Sequence, residues 1–170
     1  MILVSACLVG INCRYDGRNN LHPLLVQALV SGHLLPICPE QLGGLPTPRI
    51  PAEIQGGSGE DLFAQGPEVD LSQPSKVRVL DQAGKDRTSA FLMGAKEVAD
   101  LAQKVGAHTA ILKARSPSCG CGQIYNGSFS GQLKAGDGVT AALLKKIGIN
   151  VFTEEHITPE FLNQIITKLK

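Results

Sequence analysis

The chain has 170 residues, 43% of them hydrophobic, so it is long enough to bury one full core and too short to argue for two independent ones. Its formal net charge is only +1, and its charged residues are scattered, which excludes the strongly basic surface that a nucleic-acid polymer or a membrane surface requires. We therefore expect a single domain over residues 1–170 whose partner is a small molecule.

The N-terminal residues raise the question of export. The segment Val4-Ser5-Ala6-Cys7 looks like a bacterial lipoprotein cleavage motif, but only six residues precede Cys7 and none is charged. A secretory signal needs a charged start and an apolar stretch of roughly 7–15 residues, and no run here approaches the roughly 18 apolar residues of a membrane span. We expect a soluble, cytoplasmic protein, in which five cysteines indicate metal binding or catalysis rather than disulfides.

The first elements alternate between strand and helix. Residues 2–6 form a short apolar run, typical of a buried parallel strand, that ends at Cys7. Residues 22–31 are predicted to form a helix, with a proline in its first turn and a glycine after its end. A second short strand over 34–37 leads directly to Cys38.

A long glycine- and proline-rich segment follows. Residues 39–75 contain too many glycines and prolines for regular structure, and long loops inside compact domains are often functional. We therefore predict that 39–75 is mostly loop. Residues 76–81 alternate with the period of a half-buried strand.

The second half of the chain continues the alternation. Asp86 is the predicted N-cap of a long amphipathic helix that ends at Gly106, and a third core strand over 109–113 precedes the dense motif at 116–122. The remaining predicted elements are a helix capped by Asp137 and running to about Ile147, a strand over 149–152 and a helix over 158–168. The pattern predicts an α/β fold, a Rossmann-like three-layer sandwich with a mainly parallel sheet and one long Gly/Pro-rich loop.

Three cysteines occupy equivalent places on this scaffold. Cys7 and Cys38 each follow a strand immediately, and Cys119 lies in the loop after the third core strand. In open α/β sheets, ligands bind beyond the carboxyl ends of the strands, where neighbouring loops converge. We therefore expect these three thiols to meet at one edge of the sheet.

Three thiolates are compatible with more than one kind of site. Soft sulfur ligands favour zinc or an iron–sulfur cluster. A structural zinc site normally uses four ligands in close pairs, whereas the one close cysteine pair here is Cys119 and Cys121. A four-iron cluster on three thiolates leaves one iron open to substrate, which is a catalytic arrangement. Spacing alone leaves the cluster, zinc and redox-active thiols as open alternatives.

Five short blocks stand in order along the chain. They are Ser5-Ala6-Cys7-Leu8, Arg14-Tyr15-Asp16-Gly17, Cys38-Pro39-Glu40, Gly44-Leu45-Pro46-Thr47-Pro48-Arg49 and Ser116-Pro117-Ser118-Cys119-Gly120. Together they resemble the signature of the bacterial thiouracil desulfurase family. The similarity extends from the first strand to about Glu154, which is nearly the whole chain.

The resemblance implies an oxygen-sensitive [4Fe–4S] cluster held by Cys7, Cys38 and Cys119, with the fourth iron free to take the sulfur of a thiolated nucleobase. The implied reaction is a non-redox C–S cleavage. The open iron acts as a Lewis acid on the thiocarbonyl sulfur, and a water activated by a carboxylate attacks the carbon. The products are uracil and bound sulfide.

The resemblance also implies roles for side chains near the cluster. The family pattern gives an acid/base role to the first serine of the S-P-S-C motif, which is Ser116. The glutamate of thiouracil-active members stands four residues after the cysteine of C-P-E, where this chain has Leu42. We therefore take Glu40, inside that motif, as the substitute carboxylate.

Other residues receive a role together with a structural alternative. Asp16 is a candidate general base, or a turn residue that holds its own backbone. Arg49, in the proline-rich block, and Ser118 are candidate substrate-binding residues, whereas Cys13 and Cys121 are expected to be small loop or core residues. A second hypothesis is a zinc- or cluster-bearing module that senses or carries sulfur or a nucleotide without turnover. The sequence specifies neither the thiolated substrate nor the oligomeric state.

Overall fold

Strands and helices alternate along most of the chain in the computed structural model, which describes residues 1–64 and 76–168. Within these ranges the strands are β1 (Ile2–Ser5), β2 (Leu34–Ile37), β3 (Ala52–Gln55), β4 (Arg78–Asp81), β5 (Thr109–Leu112), β6 (Gln123–Tyr125), β7 (Leu133–Ala135) and β8 (Asn150–Thr153). The helices are α1 (Pro23–Val30), α2 (Pro39–Leu42), α3 (Gly59–Leu62), α4 (Thr88–Lys104), α5 (Val139–Lys146) and α6 (Pro159–Thr167). Among the residues described, no helix is both long enough and apolar enough to cross a membrane.

The central sheet is parallel throughout, with the strand order β2-β1-β5-β8. In β1, which lies between two neighbours, Ile2 pairs with Leu34 of β2 on one side and with Thr109 of β5 on the other. All four residues of β1 are buried, as expected for a strand covered on both faces. This strand is the structural centre on which the site is built.

Alternate residues of the sheet enter two different hydrophobic cores. Leu3 belongs to the core formed with α4 and α5, whereas Ile2 and Val4 belong to the core formed with α1 and α6. The helical members of the first core include Phe91, Ala95, Val98, Ala141 and Leu144, and those of the second include Leu25, Ala28, Leu162 and Ile165. Helices therefore cover both faces of the sheet, and the predicted three-layer α/β sandwich is confirmed.

The segment 39–75 differs from its prediction as a loop. Its described part contains α2, β3 and α3, while 65–75 lies outside the described residues. The strand predicted over 76–81 is present as β4, but it pairs antiparallel with β3 in a separate two-stranded sheet. Elements of four residues between glycines and prolines show too little periodicity to be recognised from sequence.

A β-hairpin was also not predicted. Strands β6 and β7 pair antiparallel, with Gln123 opposite Ala135 and Tyr125 opposite Leu133. Each has three residues, which is shorter than the four to eight residues over which alternation is informative.

The two predicted helix caps are displaced by one residue. Arg87 is the N-cap of α4 and Gly138 that of α5, so Asp86 and Asp137 each stand one position earlier. The buried carboxylate of Asp137 instead pairs with the ammonium group of Lys145 at 2.6 Å. A buried charge is more stable beside a cation than beside helix amides alone, and this pair joins the loop before α5 to the helix itself.

Candidate active site

The three cysteines that were predicted to converge line a single cavity. In the central sheet, β1 lies between β2 and β5, and the chain leaves all three strands at the same edge. Cys7, Cys38 and Cys119 all line a cavity of about 440 Å³ beyond this edge. The expected convergence of the three cysteines is therefore found in the structure.

Local backbone geometry places the first two cysteines. After β1 the chain enters a 3-10 turn over Ala6–Val9, which ends at Gly10 with φ 94°. This left-handed conformation favours glycine, and it lets the Gly10 N–H approach the carbonyl of Cys7 at 3.4 Å. Cys38 follows β2 as the extended N-cap residue of α2, whose first position is Pro39. The backbone conformation after each strand thus fixes the positions of Cys7 and Cys38 at the edge of the sheet.

Cys13 is a fourth thiol in the same cavity. Its side chain is buried, and its thiol interacts with the thiols of Cys7 and Cys38. The interaction with Cys13 lowers the pKa of the Cys7 thiol, against the opposing effect of burial. It also lowers the pKa of Cys38 to about 7, again against burial, while the same two contacts raise the pKa of Cys13 itself. The expectation that Cys13 is only a small loop or core residue misses this contact.

The loop that carries Cys119 is organised by Ser116. The Ser116 Oγ accepts the backbone N–H groups of Ser118 and Cys119, both at 3.2 Å, and its carbonyl accepts the N–H of Gly120 at 2.8 Å. A side chain at Gly120 would place its Cβ 2.6 Å from the Ser116 carbonyl, so glycine is needed at this position. Burial raises the pKa of Cys119, and a metal bound there would have to displace its proton.

The two predicted serines take different places. Ser116 lines the cavity. Ser118 does not line it, and its buried hydroxyl is hydrogen-bonded to the Thr140 hydroxyl at 2.9 Å. Because the two side chains of this tight loop point into different environments, only Ser116 is placed to meet a ligand.

Glu40 and Arg49 form an ion pair in the cavity wall. The Arg49 guanidinium also donates to the carbonyl oxygen of Cys13 at 3.0 Å, so it connects the C-P-E motif to the loop that carries Cys13. Burial raises the pKa of Glu40, and the charge of Arg49 opposes this rise. The pair thus forms part of the cavity wall and connects the segments that carry Cys38 and Cys13.

Asp16 lies outside the cavity wall. Its carboxylate is engaged by the Arg14 guanidinium at 2.9 and 3.0 Å and by the N–H of Arg18 at 3.1 Å. The hydrogen bond from Arg14 is the main reason that the pKa of Asp16 is lowered. Arg14 itself lines the cavity, so Asp16 holds a wall residue and does not face the thiols.

Besides Glu40, the cavity wall contains a second acidic side chain. Leu42 is half-exposed and does not line the cavity. Among the described residues that line it, the acidic ones are Glu40 and Glu53. The sequence does not single out Glu53, because the short strand in which it lies, β3, is not recognisable from its pattern.

The donor set fits a thiolate-bound iron–sulfur group. Four cysteine sulfurs line one cavity, and the pKa values of Cys7 and Cys38 are lowered, mainly by their interaction with Cys13. In residues 1–64 and 76–168, no three Cys, His, Asp or Glu side chains are arranged to hold a single metal ion. A cluster of several irons, whose ligands stand around a larger body, matches widely placed soft donors.

Similarity to known proteins agrees with this site. A family model described as 2-thiouracil desulfurase matches residues 2–156. The uncharacterized protein YbbK of Bacillus subtilis (strain 168) is 42% identical over 157 residues, which cover 92% of this chain and 97% of YbbK. A solved structure of the [4Fe–4S]-dependent thiouracil desulfidase TudS matches with a TM-score of 0.78 and 39% identity, covering 96% of each chain.

These matches extend over almost the whole chain, and the range of the family model, residues 2–156, contains all five motif blocks. They confirm the family predicted from the blocks, and the TudS structure confirms the α/β fold. With the motifs, the fold and the cysteine-lined cavity in agreement, the chain belongs to the 2-thiouracil desulfurase family.

Proposed function

We propose that this protein is an iron–sulfur-dependent desulfurase that converts a thiolated pyrimidine into the corresponding oxo compound without a change of oxidation state. In the balanced reaction one water supplies the oxygen of the new C=O group, the C=S bond is broken, and the sulfur leaves as hydrogen sulfide. The reaction therefore needs no oxidant or reductant. The observation that carries the proposal is the convergence of Cys7, Cys38, Cys119 and the Ser116 hydroxyl in one cavity. The volume of about 440 Å³ lies within the range of small-molecule sites.

Cys7, Cys38 and Cys119 are the residues that would hold a [4Fe–4S] cluster. Such a cluster supplies Lewis acidity at an iron that has no protein ligand. We assign Cys13 a different part, because its raised pKa keeps the thiol protonated and its S–H group available to donate to Cys7 or Cys38. Hydrogen bonds to ligand sulfurs stabilise their charged form and tune a cluster.

Ser116 is the residue that we propose to move a proton. Its Oγ accepts two backbone N–H groups, so its own hydrogen is used by neither contact. The hydroxyl can therefore orient the attacking water and pass a proton towards the departing sulfur. The double acceptor contact also fixes the Oγ in one position, as proton transfer requires.

Glu40 is the proposed base for the attacking water. Burial raises its pKa, and a carboxylate with a raised pKa is a stronger base in its ionised form. Arg49 keeps the ionised form accessible and is positioned to contact the substrate from the same wall. We assign Asp16 and Ser118 positioning roles, since Asp16 holds Arg14 and Ser118 holds Thr140.

The proposed partner is a small thiolated base rather than a nucleic-acid polymer, in keeping with the net charge of +1. We place the activity in the cytoplasm, because reducing conditions keep thiols available for metal binding.

Protein purified without oxygen is expected to convert 2-thiouracil or 4-thiouracil into uracil and sulfide in equal amounts, with no added reductant. Chromatography of the base and a colorimetric sulfide assay measure both products. A heat-denatured sample and a sample exposed to air serve as controls. Tight binding of the thiolated base with no uracil formed would contradict the enzyme assignment and favour the module that binds sulfur or a nucleotide without turnover.

A further inference from the structure

Aromatic side chains are concentrated at the cavity. The chain has no tryptophan, two tyrosines and five phenylalanines. Both tyrosines, Tyr15 and Tyr125, line the cavity together with Phe129. Three of the chain's seven aromatic rings are therefore available to a ligand in the cavity.

Two of these rings belong to the β6–β7 hairpin, and the hairpin tip is fastened to β3. The carboxylate of Glu53 accepts the backbone N–H groups of Gly127 at 2.8 Å and Phe129 at 3.1 Å. The Gln55 amide donates to the Gly127 carbonyl at 2.8 Å. Because Glu53 is only 8% exposed, the two bonds that its carboxylate accepts are largely shielded from water, and bonds to a charged acceptor are the stronger kind.

The fastening holds the tip in a conformation that it would not adopt by itself. Phe129 has φ 55°, and Arg115 has φ 64°; among the described residues these are the non-glycine residues with positive φ. Both line the cavity. For a bulky residue the left-handed region is an outlier, and such strain persists only where the surroundings impose it, often at binding sites.

Resting on the proposed function, we propose that the hairpin tip held by Glu53 is a stacking subsite, in which Phe129 and Tyr125 bind the flat ring of a thiolated heteroaromatic base. Stacking on an aromatic side chain needs a planar π-face, which a pyrimidine has. The subsite favours cyclic thiocarbonyl compounds over acyclic ones such as thiourea. Thiourea is planar but has no ring, so much less of its surface can stack on an aromatic side chain. Glu53 is a positioning residue in this account, because it acts through the backbone of the tip.

The test uses the cluster-containing protein prepared without oxygen, with uracil as the probe. Uracil has the ring but no sulfur, so its binding, measured by calorimetry, reports the subsite and not sulfur–iron affinity. Phe129→Ala is expected to weaken uracil binding about tenfold, as loss of one base–aromatic stack does. The matched control is Leu133→Ala, which removes an exposed apolar side chain of the same hairpin that does not line the cavity.

Variants of Glu53 test the positioning role. Glu53→Ala is expected to weaken uracil binding as Phe129→Ala does, and to raise KM for thiouracil with kcat changed less than about twofold, since ring binding and not chemistry is lost. Glu53→Gln keeps a carbonyl acceptor and is expected to recover most of the loss. If Phe129→Ala fails to fold, two other single variants replace it. Phe129→Leu removes the ring and is expected to weaken uracil binding, whereas Phe129→Tyr keeps the ring and is expected to keep the affinity for uracil.

The outcomes separate this proposal from the proposed function. Uracil binding that is absent in the unaltered protein, or equal in the Phe129→Ala and Leu133→Ala variants, overturns the stacking subsite even if thiouracil is desulfurised. Uracil binding that is weakened by Phe129→Ala supports the subsite even if no thiolated base is turned over, in which case only the reaction is wrong.

Discussion

Replacing Cys38 with alanine is expected to remove the cluster and to reduce desulfuration by more than about 100-fold. Changes in groups that merely support metal ligands already cost about 10- to 100-fold, and this change removes a proposed ligand itself. Cys38 is chosen because its pKa is lowered to about 7, chiefly by its interaction with Cys13, so it is ready to bind as a thiolate. Iron content, visible absorption and thiouracil turnover are measured on the same anaerobic sample.

The control for this variant is Cys121→Ala. Cys121 does not line the cavity, and its thiol lies 3.7 Å from the carbonyl oxygen of Val151. Its replacement is expected to leave iron content and turnover within about twofold, as for a cysteine that only packs. A Cys38→Ala protein that keeps the iron content of the unaltered chain would show that Cys38 is not a ligand.

Replacing Ser116 with alanine is expected to lower kcat by about 100- to 10,000-fold while the cluster is kept, which is the usual range for losing a general acid or base. The iron content must stay unchanged for this conclusion. The Ser116 Oγ also accepts the N–H groups of Ser118 and Cys119, so a loosened loop is the competing cause of lost activity. Ser116→Thr keeps a hydroxyl, and partial recovery of kcat by this variant would separate the two causes.

Ser118→Ala is the matched control two residues away. Its hydroxyl is bonded to Thr140 and does not line the cavity. Its loss is expected to cost about 1 kcal/mol of folding free energy, measured by urea unfolding, with kcat within about threefold. Equal kcat in Ser116→Ala and the unaltered protein would contradict the acid/base assignment, and a large loss in Ser118→Ala would return the substrate-binding role to that residue.

The sequence was sufficient to predict where the three main cysteines meet, because each follows a predicted strand of one parallel sheet. Cys7 lies two residues after β1 and Cys38 directly after β2, its parallel neighbour, and parallel strands bring their carboxyl ends to one edge. Local signals that are strong in sequence therefore defined the sheet edge and the cysteines beyond it.

Cys13 and Glu53 could not be placed in this way. The position of Cys13 depends on how its loop folds back against the sheet, where Arg49 donates to its carbonyl, and this is a long-range contact. Glu53 lies in β3, a four-residue strand whose partner, β4, follows the glycine- and proline-rich segment. Tertiary contacts of this kind leave no periodic signal in the sequence.

The difference between Ser116 and Ser118 has a similar origin. Both serines belong to one motif, and their residue type gives no reason to prefer either. The tight loop decides, because Gly120 lets the chain approach the Ser116 carbonyl, which leaves Ser116 at the cavity and turns Ser118 towards Thr140. Backbone geometry, and not composition, therefore selects the serine that we propose as catalytic.

The iron and acid-labile sulfide content of protein purified without oxygen tests the central claim most directly, together with its visible absorption spectrum. Cys7, Cys38 and Cys119 at one sheet edge predict a brown protein with about four irons and about four sulfides per chain, the stoichiometry of a [4Fe–4S] cluster. A colourless protein that contains no iron after anaerobic purification and reconstitution, or one that contains zinc in its place, would contradict the account.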